Sequence, residues 1–286
     1  MRAVSPGWIA ADAFHVRVFA AREMMIDRGW AERGVCNTYW RYYVNSDDGS
    51  AVRLPDGSLF PLPMQAVHFI PAWVRFDCVT AVEVRHLFAH FDIVGLPGTL
   101  VREVFSGPTS LPFDAVLRST SRAMREALAD PQAEQRPHAL FATKAAIEAA
   151  LAMLFARLTP AQDARLSRAL RSDSPLAPAL KAIDLDVARA VRVCDLARLC
   201  GQSEGHFSRR FHQEMGQTPA QYVLERRVSA AAEQLVLGED AIELIAERCG
   251  FPDRFYFTRV FTRRMGMPPA AYRRRAHEGY QGRELG

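Results

Sequence analysis

Two stretches near the C-terminus, LARLCGQSEGHFSRRFHQEMGQTPAQYVLERR (196–227) and IAERCGFPDRFYFTRVFTRRMGMPPAAYRRR (245–275), repeat one pattern at a spacing of about fifty residues. Each stretch carries, in the same order, a Cys-Gly pair, two phenylalanines four residues apart with an arginine between them, and then Gly, Pro and Tyr. Repetition at such a period indicates one supersecondary unit used twice. The pattern predicts a helix, a sharp glycine turn and a second helix in each copy.

The second helix of each copy is predicted to have one buried and one exposed face. The pairs Phe207/Phe211 and Phe257/Phe261 are each four residues apart, so both members of a pair share one face of a helix. A buried aromatic face opposite an arginine-bearing face fits a helix that lies in a DNA major groove, whereas exposed arginines alone would fit a solvated helical repeat equally well. The residues predicted to face DNA are Ser203, Glu204, Gly205, His206, Ser208, Arg209, His212, Arg254, Phe255, Thr258, Arg259 and Arg263.

Glycine, serine and proline mark the ends of these helices. Gly201 suits a left-handed turn residue, and Ser203 suits the N-cap of the helix that follows. Pro252 suits the first turn of the corresponding helix in the second copy. Gly216 and Gly266 are expected to end the two helices.

Arginine carries nearly all of the positive charge. The formal net charge is only +4, which does not by itself identify a nucleic-acid-binding protein, and Lys144 and Lys181 are the only lysines. Arginine presents a planar fork that suits phosphate and guanine. A GC-rich genome would encode the same arginine-rich, lysine-poor composition, so the composition leaves both explanations open.

Residues 12–110 are predicted to be mainly β structure. Short alternating segments are separated by the turn signals at 45–49 and 55–57 and end in a loop at 95–98. Many short strands with such punctuation favour a sandwich or a small barrel. The predicted strands are 15–19, 38–44, 58–62, 66–70, 74–79 and 82–92.

Residues 113–171 are predicted to be helical, and residues 137–158 contain a heptad-like seam. The seam fits either a helix packed against its own β domain or a dimer helix. Its candidate dimerisation residues are Ile147, Leu151, Leu154 and Leu158. The predicted organisation is a sensor and dimerisation region at 1–172, a linker at 173–178, a helical domain at 179–276 and a tail at 277–286.

The repeated motifs resemble the AraC/XylS family of bacterial transcription regulators. The resemblance implies two helix-turn-helix units joined by a long helix at 219–237, with both recognition helices in successive major grooves on one side of the DNA. The stretch AVHFIPAWVRFDCVTAVEVRHLFAHFDIVGLPG (66–98) is similar to the family's cupin-like sensor domain. This implies an α+β multidomain protein: an N-terminal cupin-like barrel or sandwich with helices, and an all-α C-terminal domain. It also implies a small-molecule effector, often a sugar, and a homodimer.

The N-terminal half contains aromatic and histidine side chains that could line a pocket or fill a core. These candidate ligand-binding residues are Trp40, Tyr42, Trp73, His68, His86 and His90. His86 and His90 share a strand face, but the His-x-His plus glutamate grouping of metal-binding cupins is absent, so no metal and no cofactor are predicted. The five cysteines form no CxxC pair, and a redox role for Cys36 or Cys78 stays open.

The function predicted is sequence-specific DNA binding that regulates transcription in response to a small molecule. Double-stranded DNA is the expected partner, with RNA polymerase as a further partner if the protein is an activator. The sequence contains no GxSxG, HExxH or phosphate-loop motif, so the protein is predicted not to be an enzyme. With no apolar run approaching about 18 residues, and no signal-peptide pattern, a cytoplasmic protein without a membrane span is expected. The alternatives are a cupin-like metal-dependent enzyme and a ligand-independent regulator controlled by a protein partner.

Overall fold

The computed structural model describes residues 15–31, 33–169, 174–188 and 192–280. The strands are β1 (His15–Ile26), β2 (Trp40–Asn45), β3 (Ser50–Arg53), β4 (Leu59–Pro61), β5 (Ala66–Ile70), β6 (Asp77–Thr80), β7 (Val84–Val94) and β8 (Thr109–Pro112). The helices are α1 (Gly98–Val104), α2 (Ala115–Leu128), α3 (Pro137–Phe155), α4 (Pro160–Ala169), α5 (Ala177–Leu185), α6 (Val193–Leu199), α7 (Glu204–Met215), α8 (Pro219–Leu237), α9 (Ile242–Arg248), α10 (Arg254–Met265) and α11 (Pro269–Tyr280).

The strands form two antiparallel sheets. The larger sheet has the order β1-β7-β2-β5-β8, and the smaller has the order β4-β3-β6. In the larger sheet β2 is central, because Tyr42 lies opposite Ala89 of β7 on one side and Phe69 of β5 on the other. The sheet-rich N-terminal part and the helical C-terminal part confirm the predicted α+β class.

The two faces of β2 pack against different layers, as the alternation of its residues predicts. Trp40, Tyr42 and Val44 join the core between the larger sheet and helices α2 and α3. Tyr43 points the other way, into a core shared with the smaller sheet. The buried hydroxyl of Tyr42 lies 2.7 Å from Ser121 Oγ of α2, which satisfies both polar atoms.

Three short elements were not predicted, namely β3, β8 and α1. Helix α1 begins at Gly98, where the sequence suggested only a loop, and it buries Leu100, Val101 and Val104. Strands of four residues and a helix of seven are too short to show a clear period, so tertiary packing decides them.

The helical part comprises two units joined by α8, which matches the predicted long helix. Leu176 and Ile183 pack with Phe207 and Phe211 in the first unit. Helix α5 therefore starts the first unit at Ala177, within the predicted linker at 173–178. Pro178 does not interrupt this helix, because it lies in the first turn, where a missing N–H costs nothing. Residues 170–172 of the predicted N-terminal region, residue 173 of the predicted linker and residues 281–286 of the predicted tail lie outside the described residues.

The N-terminal part packs directly on the second helical unit and on α8. Tyr39 is buried in the core of the second unit, and Phe19 and Trp73 are half-buried against it. Around this apolar contact, Arg226 of α8 lies 3.5 Å from Asp92 of β7. The N-terminal part and the helical part thus meet through a mixed apolar and charged interface.

Candidate nucleic-acid interface

Helices α7 and α10 occupy the positions predicted for recognition helices, and each begins at a side-chain cap. Ser203 caps α7, because its hydroxyl accepts from the His206 N–H at 3.4 Å. Asp253 caps α10 and accepts from the Tyr256 N–H at 2.7 Å. The expectation that Pro252 lies in the first turn is wrong, since α10 begins at Arg254 and Pro252 precedes the cap.

The second copy has one residue more than the first between its turn glycine and its first buried phenylalanine, and this extra residue lies in the turn. Counted from the cap, the first buried phenylalanine is four residues on in both helices, at Phe207 and Phe257. Between the turn glycine and the cap, the second copy has one residue more, and Phe251 there is buried in the core of its unit. Both recognition helices therefore present equivalent positions in the same register.

Each helix buries the face that the sequence predicts and ends on a left-handed glycine. The buried residues are Phe207, Phe211 and Met215 in α7, and Phe257, Phe261 and Met265 in α10. The C-cap glycines, Gly216 and Gly266, have φ values of 69° and 79°, which glycine adopts without steric cost. This packing holds the opposite face of each helix toward solvent.

The exposed face of α7 is mixed in charge. Ser203, Glu204, Gly205, His206, Arg209 and His212 are exposed, and Ser208 is half-buried. The Arg209 side chain lies over Gly205, since a Cβ built at Gly205 would be 3.7 Å from the Arg209 guanidinium. Glycine at this position therefore leaves Arg209 as the main long side chain of this face.

The exposed face of α10 is basic and partly aromatic. Arg254, Phe255, Arg259 and Arg263 are exposed, with Phe255 at 85%, and Thr258 is half-buried. The Arg259 guanidinium lies 5.4 Å from the Tyr256 ring centroid. A shallow surface depression is lined by Arg254, Phe255, Thr258, Arg259, Thr262 and Arg263. Within the described ranges no carboxylate forms an ion pair with Arg254, Arg259 or Arg263, so these charges are available to phosphate or bases.

Arg264, the fourth arginine of α10, faces inward. Its Nη1 donates to Oε2 of Glu225 at 3.3 Å, and the Glu225 side chain is only 3% exposed. Glu225 also accepts from Nη2 of Arg102 in the N-terminal part, at 2.9 Å. Sequence reasoning missed this shared carboxylate, because the three residues lie far apart in the chain and no local pattern links them.

The candidate ligand-binding residues do not gather on one face. Trp40 and Tyr42 lie in the core beneath α2 and α3, whereas His86 and His90 project from the opposite face of the larger sheet. Trp73 is half-buried at the contact with the second helical unit. The sheet thus divides the predicted set between two layers.

His68 and His86 are buried and hydrogen-bonded. Nδ1 of His68 lies 2.7 Å from Ser110 Oγ, and Nδ1 of His86 lies 2.7 Å from Asn45 Oδ1. Burial lowers the pKa of His68 to about 4 and that of His86 to about 3, so both rings are neutral near pH 7. Among the residues that the structure describes, no group of three or more His, Cys, Asp or Glu side chains could hold a metal.

Arg41 is a buried cation on the same sheet face as His90. It is 4% exposed, donates to Asn37 Oδ1, and has its guanidinium 4.8 Å from the Tyr39 ring centroid and 5.0 Å from that of Phe76. Asn37 Nδ2 in turn donates to the hydroxyl of Tyr272 in α11. In the described part of the chain no carboxylate is paired with Arg41, although a buried charge is costly without an opposite partner.

The candidate dimerisation residues lie on the inner face of α3. Ile147, Leu151 and Leu154 are buried in the core of their own sheet-rich part, and Leu158 is half-buried against it. In this conformation the seam packs intramolecularly, which was one of the two interpretations of the pattern.

Helix α3 is long and apolar enough to cross a membrane, by length and composition alone. A buried core helix of a soluble protein can have the same length and composition.

Cys36 and Cys78 are the two cysteines for which a redox role was considered. Cys36 is buried, and burial raises the pKa of its thiol, which disfavours the thiolate. Cys78 is also buried. Whether either residue has a redox role stays open.

Comparison with known proteins identifies the class of the helical part. Residues 196–275 match a family model described as a helix-turn-helix domain. The match and the relatives below confirm the resemblance of the C-terminal part of this chain to AraC/XylS regulators.

Two relatives and one solved structure illustrate the similarity. The chain is 33% identical over 87 residues to the MmsAB operon regulatory protein of Pseudomonas aeruginosa, covering 30% of this chain and 28% of that protein. It is 34% identical over 103 residues to a putative AraC-like transcription regulator of Streptomyces lividans, covering 36% and 34%. The chain thus matches about a third of the length of these relatives. ToxT of Vibrio cholerae O395, bound to (E)-4-(8-methylnaphthalen-1-yl)but-3-enoic acid, shares the fold at a TM-score of 0.54 and 10% identity, over 92% of this chain and 99% of ToxT.

Proposed function

We propose that the protein is a sequence-specific DNA-binding regulator of transcription, with α7 and α10 as recognition helices in successive major grooves. The observation that carries the proposal is the pair of helices with identical cap-to-phenylalanine register, each of which turns a polar, arginine-bearing face outward. The match of residues 196–275 to a helix-turn-helix domain supports it. The names of the relatives, which are transcription regulators, favour this function over an enzyme.

The exposed side chains suggest a division of roles. Arg209 and Arg259 occupy equivalent positions and are suited to bidentate contacts with guanine. Phe255 is suited to the methyl group of thymine but can donate no hydrogen bond. Arg254 and Arg263 lie at the two ends of the α10 face, where contacts to phosphates would position the helix.

A gel-shift experiment with the full chain and its own promoter region tests the DNA-binding proposal. The expected result is a salt-sensitive complex that a random duplex of equal length does not form at the same concentration. Arg209→Ala and Arg259→Ala should each weaken the specific complex by about 1–3 kcal/mol. Arg122→Ala is the matched control, because Arg122 is exposed on α2 and pairs with Glu126 in the N-terminal part. Equal binding of specific and random duplexes would contradict the proposal.

The N-terminal part is proposed to sense a small molecule. The family resemblance suggests a sugar, and the buried chemistry favours an anion instead, because Arg41 lacks a carboxylate partner among the described residues. Arginine pairs well with carboxylates, and the compound bound to ToxT is a carboxylic acid. Since Arg41 reaches Tyr272 of the helical part through Asn37, an anion at Arg41 would act on a contact between the two parts.

Thermal unfolding of the full chain with matched panels of sugars and small carboxylates separates these possibilities. A carboxylate effector should raise the melting temperature in proportion to its binding, and Arg41→Gln should abolish that shift. A shift with sugars alone would favour the sugar effector. No shift with either panel would favour a regulator controlled by a protein partner.

Three further features remain part of the proposal. A homodimer, a contact with RNA polymerase if the protein activates transcription, and a cytoplasmic location are all consistent with a DNA-binding regulator. Because the seam of α3 is buried, a dimer of this conformation would use a different surface from Ile147, Leu151 and Leu154.

A further inference from the structure

Glu225 lies where three parts of the molecule meet. It belongs to α8, which joins the two helical units, and its side chain is 3% exposed. Its Oε2 accepts from Arg102 of α1 at 2.9 Å and from Arg264 of α10 at 3.3 Å. One buried carboxylate therefore bridges the N-terminal part and the second recognition helix.

The approach of α1 to Glu225 is close. A Cβ built at Gly98, the first residue of α1, would lie 2.3 Å from Glu225 Oε1 and 2.7 Å from Trp73 Nε1. One turn later, the Arg102 guanidinium lies 5.1 Å from the Trp73 ring centroid. Glycine at position 98 and the support of Trp73 thus bring Arg102 onto the carboxylate.

Both arginines compensate the buried negative charge of Glu225. A buried carboxylate that loses a guanidinium partner is strongly destabilised, because the remaining charge is poorly compensated. If the N-terminal part moves away, Arg102 leaves, and among the described residues Arg264 alone still forms an ion pair with Glu225. Arg264 lies next to Arg263 on α10, so a change in its pairing alters the support of a DNA-facing helix.

The first recognition helix is contacted differently. Thr99 Oγ1 donates to the backbone oxygen of Met215 at 2.6 Å, and Arg165 Nη1 donates to that of Glu214 at 2.7 Å. Both bonds end on carbonyl oxygens at the C-terminus of α7. They hold the helix end but place no charged side chain of α7 in a shared ion pair with the N-terminal part.

We propose that Glu225 is a positioning residue that transmits the docking of the N-terminal part selectively to the second recognition helix, through the shared pair with Arg102 and Arg264. This regulation rests on the proposed DNA-binding function, in which α10 supplies the more basic recognition face. Glu225 is buried and does not itself contact DNA. It acts by setting the orientation of α10 relative to α8.

A double-mutant cycle with hydrogen exchange tests the proposal without DNA. Arg102→Gln in the full chain should speed amide exchange in α10 by about fivefold or more and leave α7 within about twofold. In the Glu225→Gln background, Arg102→Gln should produce no further change in α10. Arg122→Gln, an exposed arginine of the same part, should change neither helix.

Other outcomes of the cycle would overturn the proposal. It fails if Arg102→Gln leaves α10 unchanged, if α7 and α10 respond equally, or if the effect persists undiminished with Glu225→Gln. If Glu225→Gln does not fold, Arg264→Gln replaces it in the cycle, since it removes the other end of the same link.

Gel shifts of the same variants then measure the functional consequence. If the wild-type chain binds its specific duplex, Arg102→Gln should change the dissociation constant of that complex by about fivefold or more. In the Glu225→Gln background, the same substitution should change the dissociation constant by less than about twofold. Loss of specific binding by the wild-type chain would count against the DNA-binding function alone, because the exchange measurement stands independently of DNA.

Discussion

Helices α7 and α10 share their caps and their pattern of buried residues, and they differ in the surface that they expose. Both begin at a side-chain cap, bury two phenylalanines and a methionine, and end on a left-handed glycine. Yet α7 contains two arginines and two glutamates, so its formal charge is zero, whereas α10 contains four arginines and no acidic residue, so its charge is +4. Packing and capping constrain the buried positions alone, so the exposed positions are left to differ in function.

The contacts with the N-terminal part extend this difference. Thr99 and Arg165 donate hydrogen bonds to backbone carbonyl oxygens at the C-terminus of α7. Helix α10 is instead linked through the side chains of Arg264 and Glu225. The more basic helix is therefore also the one that is supported through an ion pair shared with the N-terminal part. The following predictions test which properties of the two helices are equal and which are not.

The largest expected effect is the loss of stability when a buried phenylalanine is removed from either helix. Phe207→Ala and Phe257→Ala should each lower the free energy of unfolding by about 3–5 kcal/mol, because both side chains are fully buried and each change leaves a cavity. Urea unfolding measures the loss. Phe255→Ala, at an exposed position, is the control and should stay within about 0.5 kcal/mol. Markedly unequal losses of stability for the two variants would show that the buried positions of α7 and α10 are not equivalent.

The next effect concerns the unequal faces. Arg263→Ala should weaken binding to every duplex and lower the slope of log K against log salt by about 0.9, as expected for one lost phosphate contact. Gln213→Ala, at the equivalent position of α7, is the matched control and should leave the slope unchanged. A similar slope change in both variants would remove the electrostatic asymmetry between the helices.

The caps should differ modestly. The Asp253 cap bond is 2.7 Å long and the Ser203 bond is 3.4 Å, so Asp253→Ala should lower stability by about 1 kcal/mol and Ser203→Ala by less. Thermal unfolding at matched pH gives the comparison. If the serine variant loses more, the cap at α7 is stronger than its geometry indicates.

The smallest effect is expected at Gly205. Gly205→Ala should raise stability by less than about 1 kcal/mol, since alanine favours a helix and its Cβ would be in ordinary contact with Arg209. Specific DNA affinity should stay within about twofold of the wild type, because a methyl group leaves the Arg209 fork free to bond. A large loss of affinity would mean that DNA approaches the α7 backbone at Gly205 so closely that a methyl group does not fit. The first helix would then recognise DNA through this close backbone contact and not mainly through the Arg209 side chain.

The repeat, the Ser203 cap, the glycines that end the two helices and the amphipathic faces could be predicted because they are local. Phe207 and Phe211 are four residues apart, so a helix necessarily places them together, and Gly216 and Gly266 are the residues best suited to end it. Pro252 was misplaced by two positions, because the helix begins at Arg254, and only the bond from the Tyr256 N–H to Asp253 identifies the aspartate as the cap. The strands β3 and β8 and the helix α1 were missed because their lengths carry no readable period.

The candidate effector residues show a different kind of limit. Trp40 and His86 were grouped by residue type, but a strand alternates its side chains, and the larger sheet separates them into different layers. Arg41 lies within the predicted strand 38–44, and alternation along that strand shows only which residues share its face. Its burial became evident once the smaller sheet and α11 covered that face.

The sequence by itself determined the two helix-turn-helix units, the register of their buried residues and the basic character of α10, because each follows from spacing along a single helix. Only the tertiary structure decided that Arg264 turns inward, that Glu225 is shared with Arg102, and that Arg41 reaches Tyr272 through Asn37. These contacts join residues more than a hundred positions apart or on separate helices, and no local period encodes them. Their geometry depends on how the sheet-rich part packs against α8, which is settled by the burial of apolar surface over the whole interface.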